Sequence, residues 1–241
     1  MGRFAGKVLF ATGGASGIGA ATARRFAAEG GRVAVADLDR DRAAEVASAL
    51  EGSLAIACDV ADERSVAAAV GAAREQLGRI DGVLNSAGFV KFTPLEELSL
   101  EEWNRLLAVH LTGTFLVCRA AVPVLRESGG GSIVNVASVA ALLARPHLAA
   151  YAAAKGGIIA FSRQLALDAA ADGVRVNVLA PGSVTTPLLA GVYGEDEVPH
   201  SIQGRFGEPE EIAAAACFLL SDEASFFTAA MLVADGGATA L

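Results

Sequence analysis

Tyr151 and Lys155 are the side chains of this sequence whose types and spacing could most directly perform chemistry. They stand at the two ends of the segment YAAAK, separated by three alanines. If the segment is helical, this spacing brings the phenol and the ammonium onto one face, about one turn apart. An ordinary surface pair on an alanine-rich helix has the same pattern, so the rest of the chain must decide between the two interpretations.

Proton transfer is the chemistry that such a pair could perform. Free tyrosine has a pKa of about 10, which is too high for an efficient base near neutral pH. An ammonium ~5 Å away, at an effective dielectric constant of ~20, favours the phenolate by about 3 kcal/mol, or roughly two pKa units. Burial of the phenol opposes this effect. We therefore expect Lys155 to bring the pKa of Tyr151 toward neutrality.

The composition narrows the class of protein. The chain has 241 residues, 53% of them hydrophobic, and a formal net charge of -8. This length can bury a sizeable core in one domain. The negative charge disfavours nucleic acid and anionic membranes as partners, because both reward clustered Lys and Arg. No signal peptide is recognisable and no apolar run approaches the ~20 residues of a membrane span, so we expect a cytoplasmic protein.

The spacing of cysteines and histidines indicates no metal site. Cys58, Cys118 and Cys217 lie far apart among apolar residues, which is typical of reduced core residues. The histidines show no metal-ligand spacing either: His110, His147 and His200.

Short β-rich runs alternate with longer alanine-rich segments of helical period. The β-rich runs are almost continuously apolar, which is typical of a parallel sheet covered by helices on both faces. They predict seven strands, at 7–13, 32–37, 54–60, 78–88, 131–138, 174–182 and 229–237. Helices are predicted at about 17–30, 41–50, 63–77, 101–127, 150–171 and 208–220. The fold class is therefore α/β, with a single doubly wound, Rossmann-type domain.

Ligands of such sheets bind beyond the carboxyl ends of the strands, where two segments of this chain could hold a dinucleotide. TGGASGIG, residues 12–19, follows the first strand and opens the first helix, whose N-terminal N–H groups can bind a pyrophosphate. Asp37 ends the second strand, where a carboxylate can accept hydrogen bonds from an adenosine ribose diol. Its charge would repel a 2′-phosphate, and neither residue 16 nor residue 38 is Arg or Lys, although Arg40 and Arg42 are near. These residues favour NAD(H) over NADP(H).

Several motifs in the same order make the sequence similar to the short-chain dehydrogenase/reductase family. They are Thr-Gly-x-x-x-Gly-x-Gly at 12–19, Asn-Ser-Ala-Gly at 85–88, Ser138, Tyr-x-x-x-Lys at 151–155 and Pro-Gly at 181–182. The resemblance spans nearly the whole chain. Ser86 and Ala229 stand where the family usually has Asn and Gly.

The resemblance implies an oxidoreductase that transfers a hydride between NAD(H) and a secondary alcohol/ketone pair. Tyr151 is the implied general acid/base, Ser138 the hydrogen-bond donor to the substrate oxygen, and Lys155 also bonds the nicotinamide ribose. The implied cofactor-binding residues are Gly13, Ser16, Gly17, Ile18, Gly19, Asp37, Leu38, Asp59, Val60, Asn85, Ala87, Gly88, Tyr151, Lys155, Pro181, Gly182, Val184 and Thr186. Two other functions stay open: NADPH-linked reduction of 3-oxoacyl thioesters, and a dinucleotide-binding regulatory protein without catalysis.

His110 departs from the family pattern. It occupies the position of a fourth catalytic residue, an Asn that holds a water in a proton relay to the lysine. Because His can both donate and accept, it could replace the Asn in that relay and add a titration near pH 6.5. The alternative is a packed His satisfied by a backbone carbonyl.

The substrate end is the least informative part of the sequence. Residues 187–204 occupy the place of the family's substrate lid, and Glu195, Asp196 and Glu197 would make that lid disfavour anionic substrates. The other substrate-facing candidates are mostly apolar and predict an alcohol or ketone of modest polarity: Ala140, Leu142, Arg145, His147 and Val184. The resemblance also implies a homotetramer or homodimer, formed through the two longest predicted helices.

Overall fold

A seven-stranded parallel sheet forms the centre of the computed structural model, which describes residues 2–189 and 201–241. The strand order is β3-β2-β1-β4-β5-β6-β7, so the order reverses between β1 and β4. The strands are β1 (Val8–Thr12), β2 (Arg32–Asp37), β3 (Leu54–Ala57), β4 (Gly82–Asn85), β5 (Gly131–Val136), β6 (Val174–Pro181) and β7 (Met231–Ala234). The predicted fold class is confirmed.

Helices cover both faces of the sheet. One core layer combines the sheet with α1, α2 and α7, and the other combines it with α3, α5 and α6. The helices are α1 (Gly17–Ala28), α2 (Arg40–Ser48), α3 (Glu63–Leu77), α4 (Leu100–Leu107), α5 (Gly113–Glu127), α6 (Ala149–Asp168) and α7 (Pro209–Leu220).

The central strand explains why the sequence reads as continuous apolar runs. Val8 and Phe10 of β1 are buried in one core layer, whereas Leu9 and Ala11 are buried in the other. Successive side chains of a strand point to opposite faces, so a strand covered on both faces needs apolar residues at every position.

The single helix predicted at 101–127 is divided by a π-helical turn, Ala108–Thr112, between α4 and α5. His110 lies in this turn, and its backbone carbonyl accepts a hydrogen bond from the Thr114 hydroxyl at 2.6 Å. Such wide turns are rare in α-helices and frequently lie at functional sites. The hydrophobic period of the sequence does not distinguish them from ordinary helix.

The continuous helical stretch Leu100–Glu127 is long and apolar enough, by length and composition, to cross a membrane. This differs from the expectation that no segment reaches that length. The stretch packs within the domain instead, since Val117, Ala121 and Leu125 are fully buried in the core layer that α5 shares with the sheet. Since 39% of its most apolar window is buried and its length and composition are the only features of a membrane span, the stretch is weak evidence for one.

Other differences concern the ends of the elements. The fourth strand, predicted at 78–88, is only Gly82–Asn85, because the following residues leave the sheet and form a loop. The last strand is likewise Met231–Ala234 rather than 229–237, and α6 ends at Asp168 rather than near 171.

Candidate active site

A cavity of about 1200 Å³ lies at the carboxyl edge of the sheet. Its walls come from the loops that follow β1 to β6 and from the start of α6. This position agrees with the rule that ligands of doubly wound sheets bind where the strand order reverses.

Three loops meet so closely at one end of the cavity that glycine is required. Gly13 has a φ of 62°, and a Cβ there would lie 2.8 Å from the Cα of Ala87 in the loop after β4. A Cβ on Gly17 would lie 3.2 Å from the Cγ2 of Thr186, in the loop after β6. The first turn of α1 therefore opens into the cavity, with N–H groups that can bind an anionic phosphate.

Asp37 forms part of the same end of the cavity. Its carboxylate accepts the N–H groups of Ala15 at 3.0 Å and of Asp39 at 3.1 Å. These bonds tie the end of β2 to the loop after β1. Each carboxylate oxygen keeps further acceptor capacity for the hydroxyls of a ribose.

Of the predicted cofactor-binding residues, all except Asn85 line this cavity. Asn85 is buried at the end of β4, where its Nδ2 donates to the Oδ1 of Asn135 at 2.8 Å. Asn135 in turn donates to the Ser162 hydroxyl at 2.9 Å. Asn85 thus links β4 to β5, and Asn135 links β5 to α6. The neighbour of Asn85, Ser86, lines the cavity in its place.

Tyr151 and Lys155 lie in the first two turns of α6 and both line the cavity. They are 9% and 5% exposed, so the surface-pair interpretation is wrong. Lys155 Nζ donates a 2.8 Å hydrogen bond to the carbonyl of Val136, the last residue of β5. The same Nζ lies 5.5 Å from the centroid of the Tyr151 ring.

Burial dominates the ionisation of this pair. It raises the pKa of Tyr151 to about 12, an effect that a hydrogen bond with Ser138 partly opposes. It also lowers the pKa of Lys155 to about 7. From the sequence alone, we expect Lys155 to lower the pKa of the phenol. The cost of removing each charged form from water is larger than their mutual attraction, so the protein's own groups give the opposite direction.

Ser138 and Ala140 also line this part of the cavity. Ser138 follows β5, and its Oγ accepts the N–H of Ala140 at 3.1 Å. Because the Oγ accepts here, the hydroxyl can donate its own proton to Tyr151, on the same side of the cavity. Leu142, which we expected to face substrate, is instead 41% exposed and lies outside the cavity lining.

His110 is fully packed and neutral. Its Nε2 lies 2.7 Å from the carbonyl oxygen of Phe89 and 3.3 Å from the N–H of the same residue. The shorter contact is to an acceptor and therefore favours the tautomer with the proton on Nε2. Burial and the charge of Lys155 lower its pKa to about 3, so the expected titration near pH 6.5 is wrong. The ring contacts Tyr151 edge-on, with centroids 5.2 Å apart, and its buried Nδ1 has no hydrogen-bond partner among the described residues.

The sequence did not predict the part of the cavity wall that comes from α4 and from the loop after β4 beyond Gly88. Phe89, Val90 and Phe92 come from the loop after β4, which the sequence had partly assigned to a strand. Arg105 comes from α4. The lid residues Glu195, Asp196 and Glu197 lie outside the described residues. Among residues 2–189 and 201–241, no cluster of three His, Cys, Asp or Glu side chains could hold a metal ion.

Comparison with known proteins identifies the family. A family model described as enoyl-(acyl carrier protein) reductase matches residues 13–239. D-threitol dehydrogenase of Mycolicibacterium smegmatis is 46% identical over 98% of this chain and 94% of its own length. 2-Dehydro-3-deoxy-L-rhamnonate dehydrogenase (NAD(+)) of Sphingomonas sp. is 38% identical over 99% of this chain and 97% of its own. The crystal structure of levodione reductase matches with a TM-score of 0.91 and 36% identity, over 99% of both chains. The chain belongs to the short-chain dehydrogenase/reductase family.

The depressed pKa of His110 predicts that its ring stays neutral between pH 5 and pH 8. The Cε1–H proton resonance of His110, identified by its loss in His110→Asn, should not shift across this range. Because the folded pKa of about 3 lies below the ordinary value of about 6.5, the unfolded chain binds the extra proton as pH falls through this interval. The contribution of His110 should therefore lower stability as pH falls below about 6.5. A midpoint near 6.5 in the folded protein would contradict this.

Proposed function

We propose that this protein is an oxidoreductase that transfers a hydride between NAD(H) and a secondary alcohol/ketone pair. The observation that supports this function is that Ser138, Tyr151 and Lys155 line the same cavity as the glycines at 13, 17 and 19. The chain's relatives include dehydrogenases of D-threitol and of a 3-deoxy sugar acid.

The residues at the carboxyl ends of β1 and β2 fit a dinucleotide. Gly13 and Gly17 allow the loops after β1, β4 and β6 to meet closely. The first turn of α1 lines the cavity, where its N–H groups could bind a pyrophosphate, and Asp37 offers acceptors for the adenosine ribose. Thr186 and Lys155 would hold the nicotinamide half. When bound, NAD supplies the group that accepts or donates the hydride.

Tyr151 handles the proton that accompanies the reaction. Its pKa of about 12 keeps the phenol protonated at neutral pH, so Tyr151 is ready to protonate the oxygen of a ketone. Ser138 donates a second hydrogen bond to the same oxygen and stabilises developing alkoxide character. For alcohol oxidation the phenol must first lose its proton, which a charged Lys155 at 5.5 Å from the ring favours.

His110 is assigned a positioning role in this scheme. The ring packs edge-on against Tyr151, and its neutral Nδ1 offers a buried acceptor beside the Tyr151–Lys155 pair. We include His110 in a proton relay to Lys155, in which its Nδ1 acts only as a hydrogen-bond acceptor.

Asp37 is the reason for preferring NAD(H). A 2′-phosphate beside this carboxylate would meet like charge, and nearby Arg42 already pairs with Asp39 at 3.4 Å. NADPH-linked 3-oxoacyl thioester reduction is therefore the less favoured alternative. The regulatory alternative leaves the joint placement of Ser138, Tyr151 and Lys155 without a purpose.

Two further features belong to the proposed enzyme: a substrate lid and an assembly of identical subunits. We assign residues 187–204 to the substrate lid, in line with the position of Leu188 and Leu189 in the cavity wall. A homotetramer or homodimer through α5 and α6 would cover Phe115 and Leu167, which are 39% and 73% exposed.

Tyr151→Phe should lower kcat by about 10²–10⁴-fold, because it removes the acid/base while keeping the ring. NADH binding, measured by fluorescence titration, should change little. The assay follows NADH absorbance with a panel of secondary alcohols and ketones, including threitol. Substantial residual turnover by the variant would contradict the role of Tyr151. Tight NADH binding with no turnover of the panel by the unchanged protein would favour the regulatory alternative.

Asp37→Ala should relax the preference for NAD over NADP by about tenfold or more, because the like-charge repulsion is removed. Asp41→Ala is the matched control, since it removes one carboxylate from the exposed first turn of α2, outside the cavity. The ratio of kcat/KM for the two cofactors is the measurement. An unchanged protein that already prefers NADPH would overturn the cofactor assignment.

A further inference from the structure

The two ends of the cavity carry opposite charge. Asp37 and Asp59 line one end of the cavity, at the carboxyl ends of β2 and β3. At the other end, on the side of Tyr151, the described lining residues include Arg105 and Arg145 but no carboxylate. Cations at the substrate end of a cleft raise the local concentration of anionic ligands.

Arg105 has no acidic partner among the described residues. Its guanidinium lies over the ring of Phe89, 5.6 Å from the centroid. The nearby carboxylate of Glu102 is already engaged by Lys91 and by the Thr93 hydroxyl. The stacked guanidinium therefore keeps its N–H donors for a ligand.

Arg145 is also unpaired within the described part of the chain. It lies between the main cavity and a smaller one of about 170 Å³, whose acidic residues are occupied. Glu211 forms hydrogen bonds of 2.8 Å with Arg205. Asp235 accepts two backbone N–H groups at 2.9 and 2.8 Å.

The loop that carries Arg145 is fixed against the loop on which Arg105 packs. The carbonyl of His147 accepts the N–H of Thr93 at 2.9 Å, which joins the segment after β5 to the segment that contains Phe89. His147 holds a φ of 63°, in the left-handed region that non-glycine residues adopt infrequently. Such a conformation persists where the surrounding structure imposes it, and it often marks a ligand-binding segment.

We propose that the substrate is a secondary alcohol or ketone that also carries a carboxylate, which Arg105 and Arg145 bind while the reacting carbon lies at Ser138 and Tyr151. This inference rests on the proposed function and names its substrate class. Guanidinium groups match carboxylates with two parallel hydrogen bonds, which orients a small substrate as well as binding it. A substrate with a carboxylate is more polar than the substrate of modest polarity that the sequence predicts.

The test compares each hydroxy acid with its own uncharged amide. The series 3-hydroxybutanoate, 4-hydroxypentanoate and 5-hydroxyhexanoate, with the three primary amides, varies the distance between alcohol and carboxylate. We expect the best acid to exceed its amide in kcat/KM by about tenfold or more, the ratio given by one charge-assisted hydrogen bond. Added salt should reduce this ratio, because both guanidinium groups are exposed.

Variants identify the residues responsible. Arg105→Gln and Arg145→Gln should each lower kcat/KM for the acid by about tenfold and leave the amide within about twofold. Arg24→Gln is the matched control, because it removes one exposed cation from α1, outside the cavity. Binding of hexanoate and hexanamide to the NADH-loaded protein, measured by calorimetry, gives a readout that does not need turnover.

The possible results distinguish failure of the carboxylate site from failure of the proposed oxidoreductase function. Turnover of neutral alcohols with no preference for the acids, and no effect of either variant, would overturn the carboxylate site and leave the oxidoreductase intact. Arginine-dependent binding of hexanoate without turnover of any alcohol would support the anion site and overturn the proposed function.

Discussion

Burial of the Lys155 amine at the end of β5 is the constraint on which the site depends. Nζ is fixed by a 2.8 Å hydrogen bond to the carbonyl of Val136, and the side chain is 5% exposed. Burial lowers its pKa to about 7, so the amine is close to the balance between its neutral and charged forms at neutral pH. Small changes in its surroundings can therefore change the charge beside Tyr151.

Close packing of α6 makes this burial possible. A Cβ on Gly157 would lie 2.7 Å from the Cδ2 of Leu111, so α6 and the π-helical turn approach each other closely. The turn places His110 against Phe89 on one side and Tyr151 on the other. The wide turn and the close approach at Gly157 thus bring three buried ionisable side chains together in the wall of the cavity: His110, Tyr151 and Lys155.

The sequence predicted the sheet and its carboxyl edge, because these follow from apolar periodicity and from glycines that allow close backbone approach. Most of the predicted cavity residues came instead from the resemblance to the family. It did not predict the π-helical turn, the inward position of Asn85 or the direction of the Tyr151 pKa shift. The last two depend on which groups lose contact with water, and burial is a property of packing between elements distant in the chain. A π-helical turn has no hydrophobic period of its own that would distinguish it from ordinary helix. Helical spacing correctly placed Tyr151 beside Lys155 but carried no information about their exposure.

The most direct test of this account is the pKa of the Lys155 amine, measured by NMR of protein labelled with ¹³C at lysine Cε. The chain has three lysines, Lys7, Lys91 and Lys155, so Lys155→Arg identifies the signal by its loss. The account predicts a titration midpoint of about 7 for this signal. A midpoint near the ordinary value of about 10.4 would contradict it, because the amine would then be a solvated cation.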